Sequence, residues 1–321
     1  MLHYNIESSD CKFQIPTILP DIHTFLIFLV FFSRKVYTKI RKFDWEVRLM
    51  NPITIAHMSD IHYAPKEISE VANMLRDKNI YVENLLPQCL EHLKTVNPDI
   101  ILITGDLTHE GEADDFQYVK QTLDNYMPET PVLCTIGNHD IRRAFRTGFL
   151  NISEQDTNDE PYYDSVIVND YQFVTLDSSY VKRLEGIFTD EAMDYLEEKL
   201  KNQNVKGTFL LMHHPIMKRA RHLAFTMNDR LENMLRSGKI KGIFNGHVHS
   251  NFTSSVFGVP QFTSESLKTD FDVLSDRLSY NDRSGYQIVT FDENGDFLAE
   301  RFILNPKPKI LVERMYKNKG A

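Results

Sequence analysis

Five short polar blocks recur in order along the chain: Asp60-x-His62, Gly105-Asp106, Gly137-Asn138-His139-Asp140, His213-His214-Pro215 and Gly246-His247-x-His249. They offer carboxylate oxygen, amide oxygen and imidazole nitrogen, a donor set that suits Zn, Mn or Fe, with no thiolate among them. The donors are too many for one cation and enough for two. Two cations roughly 3.5–4 Å apart polarise a phosphoryl group, clamp attacking and leaving oxygens, and yield hydroxide at neutral pH. A carboxylate can bridge such a pair, which suits Asp106. Glycines beside Asp106, Asn138 and His247 allow tight turns and close backbone approach. Singly, each block has an ordinary explanation, since Gly-Asp after a strand is often a turn or a helix cap. Five in order, each at a strand end, have few.

The elements that position these blocks alternate between strand and helix from Asn51 onward. Apolar, β-rich runs at Ile53–Met58, Ile100–Thr104, Val132–Ile136, Thr208–Met212 and Ile240–Phe244 read as buried strands, and each ends in one of the polar blocks. Helical spacing covers Ile80–Val96, Phe116–Tyr126, Glu191–Leu200 (with Thr189 as N-cap) and Leu231–Arg236. Tyr162–Val168 and Tyr171–Leu176 read as a hairpin turning at Asn169-Asp170. Runs at Phe252–Phe257, Tyr286–Phe291 and Phe297–Ile303 predict a mostly antiparallel closing segment. In open α/β sheets ligands gather beyond the carboxyl ends of the strands, so the five loops should converge on one edge.

The five blocks resemble the calcineurin-like metallophosphoesterase superfamily, and in detail its bacterial class III cyclic-nucleotide phosphodiesterase branch, over residues 53–303. The forms His213-His214-Pro215 and Gly246-His247-Val248-His249 fit that branch, as does Glu185-Gly186 ahead of the Thr189 helix. The resemblance implies an α/β (α+β) fold, a four-layer sandwich of two packed mixed sheets flanked by helices, with a dimetal site at the strand C-terminal ends. It implies Asp60, His62 and His249 on a first metal, Asp106 bridging, and Asn138, His213 and His247 on a second. The cofactors it implies are two divalent or trivalent ions, Mn, Fe or Zn. His139 would stand outside the metal shell, contact phosphate and help the leaving oxygen depart, which makes His139 and Asp106 the catalytic pair. All eight positions hold the expected residue type.

The expected activity is hydrolysis of a small-molecule phosphodiester by a metal-bound hydroxide, with 3′,5′-cyclic AMP as the first substrate. Glycerophosphodiesters, lipid head groups and phosphomonoesters are the alternatives, and a non-catalytic metal-binding scaffold is the alternative of another class. Basic residues after two of the blocks (Arg142, Arg143 and Arg146; Lys218, Arg219, Arg221 and His222) are candidates for anion binding in the pocket wall, against a solvated-loop reading. Tyr63 and Phe225 are candidates to stack on a base, and Tyr63–Asn79 and Ser264–Ser284 to form lids or partner surfaces.

Composition bounds the rest. The 321 residues are 42% apolar and 25% charged, enough for a substantial core. A net charge of -9 argues against a nucleic-acid-coating surface. Three scattered cysteines argue against a disulfide framework and for a reducing, cytoplasmic setting. The first 50 residues carry seven Lys/Arg against five Asp/Glu, and the rest carry 29 against 40. That leader, residues 1–50, holds nine uncharged residues at Thr24–Phe32, too few to span a bilayer, followed by basic residues and an apolar stripe at Val36, Tyr37, Ile40 and Phe43. Residues 24–43 therefore read as a peripheral membrane helix on the cytoplasmic face, a helix packed on the domain, or an artefact of the start site. Residues 51–305 read as the catalytic domain and 306–321 as a basic, solvated tail. The oligomeric state is left open, with a dimer compatible.

Overall fold

The structure, a computed structural model, describes residues 52–67, 69–180, 184–217, 225–273, 277–305 and 308–315. The leader and its apolar stripe lie outside the described residues, as do Lys218, Arg219, Arg221 and His222.

In chain order the elements are β1 (Ile53–Met58), α1 (Glu70–Arg76), α2 (Val82–Val96), β2 (Ile100–Thr104), α3 (Ala113–Tyr126), β3 (Val132–Thr135), α4 (Arg142–Gly148), β4 (Tyr163–Val168), β5 (Tyr171–Leu176), β6 (Gly186–Ile187) and α5 (Asp190–Lys199). They continue with β7 (Gly207–Leu211), β8 (Phe225–Thr226), α6 (Asp229–Arg236), β9 (Ile240–Asn245), β10 (Phe252–Val256), β11 (Val259–Thr263), β12 (Asp270–Val273), β13 (Arg277–Asn281), β14 (Gly285–Phe291), β15 (Phe297–Ile303) and β16 (Ile310–Met315).

Two mixed sheets form the centre. The first runs β15-β14-β1-β2-β3, with β1, β2 and β3 parallel and β14 antiparallel to its neighbours. The second runs β10-β11-β9-β7-β5-β4, four parallel strands with antiparallel edges. Their central strands are continuous apolar runs because both faces are covered. Alternate residues of each strand go to opposite layers. Ile53, Ile55, Ile100 and Leu102 meet Phe173, Phe209, Phe244 and Phe262 between the sheets. Met58, Ile101 and Ile103 pack outward with Leu86, Leu90 and Phe116 of α2 and α3. Val174, Leu210 and Ile243 pack outward with Met193, Leu196 and Leu231 of α5 and α6. The result is the expected helix–sheet–sheet–helix sandwich.

Local chemistry explains several boundaries. Asn169 and Asp170 take φ of 49° and 66°, the backbone of a two-residue hairpin turn, and Val168 pairs with Tyr171 across it. The Thr189 hydroxyl accepts from the Ala192 N–H at 3.3 Å and caps α5. Two expectations need correction. The stretch after the third block that carries Arg142, Arg143 and Arg146 is not a solvated loop, since Arg142–Gly148 forms α4. The stretch 306–321 is not simply a solvated tail, because β16 pairs antiparallel with β13 and completes a three-stranded sheet with β12. Among the described residues no helix is long and apolar enough to cross a membrane.

Candidate metal centre

The five polar blocks follow β1, β2, β3, β7 and β9, and they meet at the carboxyl edge of both sheets. Hydrogen bonds lace them together. The ladder of β1 and β2 continues past the strands, with Asp60 N–H to Gly105 O at 3.0 Å and His62 N–H to Asp106 O at 2.9 Å. The half-buried Asp140 carboxylate accepts from the N–H groups of Leu107, Thr108 and Gly137 at 3.1, 2.9 and 3.0 Å, which fastens the third loop to the second. Asp60 Oδ2 accepts from His247 N–H at 2.9 Å, and Gly246 N–H donates to His213 O at 3.0 Å. Each loop is thus held by its neighbours.

The backbone is strained where the donors sit. Asp60, His62, Asp106, His247 and His249 all have positive φ, between 45° and 68°, which only a few per cent of non-glycine residues adopt. Such conformations cost roughly 1–3 kcal/mol each and persist only where the surroundings enforce them. Two glycines permit the packing: a Cβ on Gly137 would land on the Asp106 carboxylate, and one on Gly246 on Ser59 and Asp60.

The donor atoms converge in two groups on either side of Asp106. In the first, His249 Nε2 lies 3.2 Å from Asp60 Oδ1 and 3.1 Å from His62 Nε2, and His62 Nε2 lies 3.5 Å from Asp106 Oδ2. In the second, His213 Nε2 lies 3.1 Å from Asn138 Oδ1, 3.2 Å from His247 Nδ1 and 3.3 Å from Asp106 Oδ2. The far nitrogens decide what these atoms are. His249 Nδ1 donates to Thr269 O and His213 Nδ1 to Thr104 O, both at 2.7 Å. In the neutral rings both Nε2 atoms are therefore lone pairs aimed at other acceptors. Asp60 Oδ1 is buried without a hydrogen-bond partner. A cluster of acceptors facing inward, with the His249 and His213 rings anchored by their outer N–H groups to carbonyls, is an arrangement that fits bound cations.

Ionisation supplies the negative charge for cations in the carboxylates, while His213 is the ring that a cation must deprotonate. Burial alone would raise the carboxyls of Asp60 and Asp106, but the imidazoles facing them hold both ionised, Asp106 well below the carboxylate range. Burial keeps His62 and His247 neutral, His247 down to about 3. Burial also opposes a charge on His213, yet the bonded Asp106 carboxylate lifts it to about 9.

All eight residues expected at the site are present in this cluster. His139 donates its backbone N–H to Asp106 Oδ1 at 2.9 Å, and its ring lies 5.0 Å from that of His62. His214 turns away, with Nδ1 2.9 Å from Ser178 Oγ, and Gly186 packs directly on its ring.

Other expected contacts fail. Arg142 bonds Asp177 at 2.8 Å and Arg146 is buried against the carbonyls of Asn158, Glu160 and Pro161, so both are structural; Arg143 is exposed and reaches Glu154 O at 3.5 Å, and none of the three lines the cavity. Tyr63 is buried, stacked on Tyr118 at 4.3 Å, and Phe225 packs edge-on to Phe188. Neither is available to a base.

The cavity above the donors has a volume of about 510 Å³. Its floor is His62, Asp106, Asn138, His139, His247 and His249. Its apolar wall is Val71, Leu184, Phe271, Leu278 and Tyr280, with His109, Glu67 and Lys268 at the side. Phe271 and Tyr280 are a cross-strand pair of β12 and β13 with rings 5.7 Å apart. The 264–284 stretch does border the pocket, and the 63–79 stretch contributes Glu67, Ser69 and Val71. His109 and Phe271 stand outside the five polar blocks, and Asp140 stands in the third block without a role assigned from sequence. The available signals were an extra histidine three residues past Asp106 and the last residue of the Asn138 block.

Residues 53–251 match the family described as calcineurin-like phosphoesterase. A protein of Rhodococcus erythropolis named as a probable cyclic nucleotide phosphodiesterase is 31% identical over 169 residues, which cover 51% of this chain and only 55% of that protein. A probable glycerophosphodiester phosphodiesterase of Arcobacter nitrofigilis is 25% identical over 205 residues, 61% of this chain and 71% of that one. Among solved structures a dimetal phosphatase of Danio rerio superposes with a TM-score of 0.53 at 16% identity, over 72% of this chain and 96% of that one, a likeness of fold.

Proposed function

The chain belongs to the calcineurin-like phosphoesterase family, and we propose that it hydrolyses a small-molecule phosphodiester at a two-cation centre, with 3′,5′-cyclic nucleotides as its first substrate class. Two groups of converging lone pairs either side of Asp106 carry this reading. Asp60, His62 and His249 would hold one cation and Asn138, His213 and His247 the other, with Asp106 shared. When bound, such a pair supplies Lewis-acid polarisation of the phosphoryl oxygens and a nucleophile from water at neutral pH.

The residues around the donors have separate tasks. His139 lines the cavity, and its ring nitrogens bond to none of the described residues. In this reading it would contact a phosphoryl oxygen and hand a proton to the departing alcohol. Asp140 holds the Asp106 and Asn138 loops in register through its three backbone N–H contacts.

Charge and shape favour a diester. Lys268 is the sole Lys or Arg among the described lining residues, and it is ion-paired with Glu67. Among the described lining residues this leaves no unpaired Lys or Arg, which suits the single charge of a diester better than the double charge of a monoester. The wall of Phe271, Leu278 and Tyr280 suits a substrate that carries an apolar or aromatic group such as a nucleobase. A glycerophosphodiester is the second reading, suggested by the Arcobacter relative, but its small polar alcohol would leave that wall unused. The filled donor set argues against a scaffold without turnover.

Comparing kcat/KM for 3′,5′-cyclic AMP, a glycerophosphodiester and 5′-AMP after manganese reconstitution tests the reading. The cyclic nucleotide should be preferred. Preference for the monoester would reject it.

A further inference from the structure

We propose that His109 is a positioning residue for the metal centre, its Nδ1 accepting the Nδ1 proton of His62 and so fixing the tautomer that turns a bare His62 Nε2 inward. This rests on the two-cation reading above and adds to it a residue that the donor blocks do not include.

The two Nδ1 atoms are 3.1 Å apart, although the residues are 47 positions apart. A bond between two imidazole nitrogens needs one donor and one lone pair. His62 Nε2 faces Asp106 Oδ2 and His249 Nε2, so as a ligand it must be the bare nitrogen and Nδ1 must carry the proton. His109 Nδ1 is then the acceptor. The other two anchored rings use backbone carbonyls for this purpose, Thr269 O for His249 and Thr104 O for His213. His62 uses a side chain instead.

The backbone holds His109 in place for this role. His109 N–H donates to Tyr63 O at 3.3 Å, and Glu110 N–H donates to His139 O at 2.9 Å. The first contact ties His109 to the residue after His62, and the second ties the next residue to His139. The His109 ring also lies 4.5 Å from that of His139, with the planes 20° apart. One side chain thus meets both a candidate ligand and the candidate acid.

The test is manganese titration of the metal-free protein by calorimetry, for wild type and three variants whose circular dichroism and Tm are first matched. Partners of metal-bound histidines typically alter affinity by about 10–100-fold when removed. His109→Ala should weaken one of two manganese ions by that factor. His109→Asn sets an amide oxygen where Nδ1 stood and should recover most of the loss. His109→Phe keeps a ring against His139 but has no acceptor, and should bind as weakly as His109→Ala.

Unchanged affinity in His109→Ala would overturn the proposal and leave the two-cation reading intact. So would a His109→Asn variant no better than His109→Ala. Three manganese ions in wild type, falling to two in His109→Ala, would mean that His62, His109 and His139 hold a cation of their own, and would also overturn it. A wild type that binds no manganese would instead remove the metal centre itself.

Discussion

The Nε2 atoms of His62 and His249 face one another at 3.1 Å across 187 positions of sequence. With the His249 Nδ1 proton given to Thr269 O, its neutral ring has no proton to place between them. Acceptors so close repel unless a proton or a cation lies among them, and a bound cation replaces whatever protons the ligands carry.

That exchange makes metal affinity depend on pH. Burial disfavours charge on His213, but Asp106 raises it to about 9, so at neutral pH the metal-free ring carries a proton. Manganese must displace it, and affinity should fall about tenfold per pH unit below 9 for one displaced proton. Calorimetry at pH 6, 7 and 8 in two buffers would measure both the affinity and the protons released. Affinity independent of pH would contradict this account. The sign for folding is opposite: a raised His pKa stabilises the metal-free chain fully below about 6.5, and that contribution is lost as pH climbs to about 9.

His139→Ala should cut turnover by about 10²–10⁴-fold, the usual worth of a general acid. Metal content should stay nearly intact on the proposed reading, in which His139 holds no cation. Metal analysis alongside steady-state kinetics checks both, and loss of metal together with activity would refute the separate role.

Asp106→Ala should empty at least one metal position. Its Oδ2 stands 3.5 Å from His62 Nε2 and 3.3 Å from His213 Nε2, between the two groups. Two ions per chain in this variant, read by elemental analysis, would show that Asp106 is not shared.

Phe271→Ala should raise KM for a cyclic nucleotide by about tenfold, equivalent to ~1.4 kcal/mol of lost apolar contact. KM for a glycerophosphodiester should hardly change, since a small polar alcohol gains little from an apolar wall. Equal effects on both substrates would mean that Phe271 shapes the site without selecting for a nucleobase.

Sandwich and donor set were both legible in the sequence for a shared physical reason. Strands such as Ile100–Thr104 are buried on both faces and read as unbroken apolar runs, and the chemistry begins where each run stops. What escaped depends on partners remote in sequence. The seven-residue α1 and α4 are too short for periodicity to declare them. The arginines of α4 read as anion binders by charge, yet Arg142 belongs to Asp177, 35 residues on, and Arg146 to the carbonyls of residues 158, 160 and 161. β16 was masked by its basic surroundings, although Ile310 and Val312 take alternate places against β13. His109 gave a hint by its type and place, but its bond to His62 spans 47 positions.

The most direct test of a two-cation diesterase is hydrolysis of bis(p-nitrophenyl) phosphate against p-nitrophenyl phosphate, after manganese reconstitution, by wild type and Asn138→Ala. The account predicts that wild type favours the diester and that Asn138→Ala, lacking the oxygen 3.1 Å from His213 Nε2, loses the activity. Wild type silent on both substrates with two manganese ions bound, or Asn138→Ala as active as wild type, would contradict it.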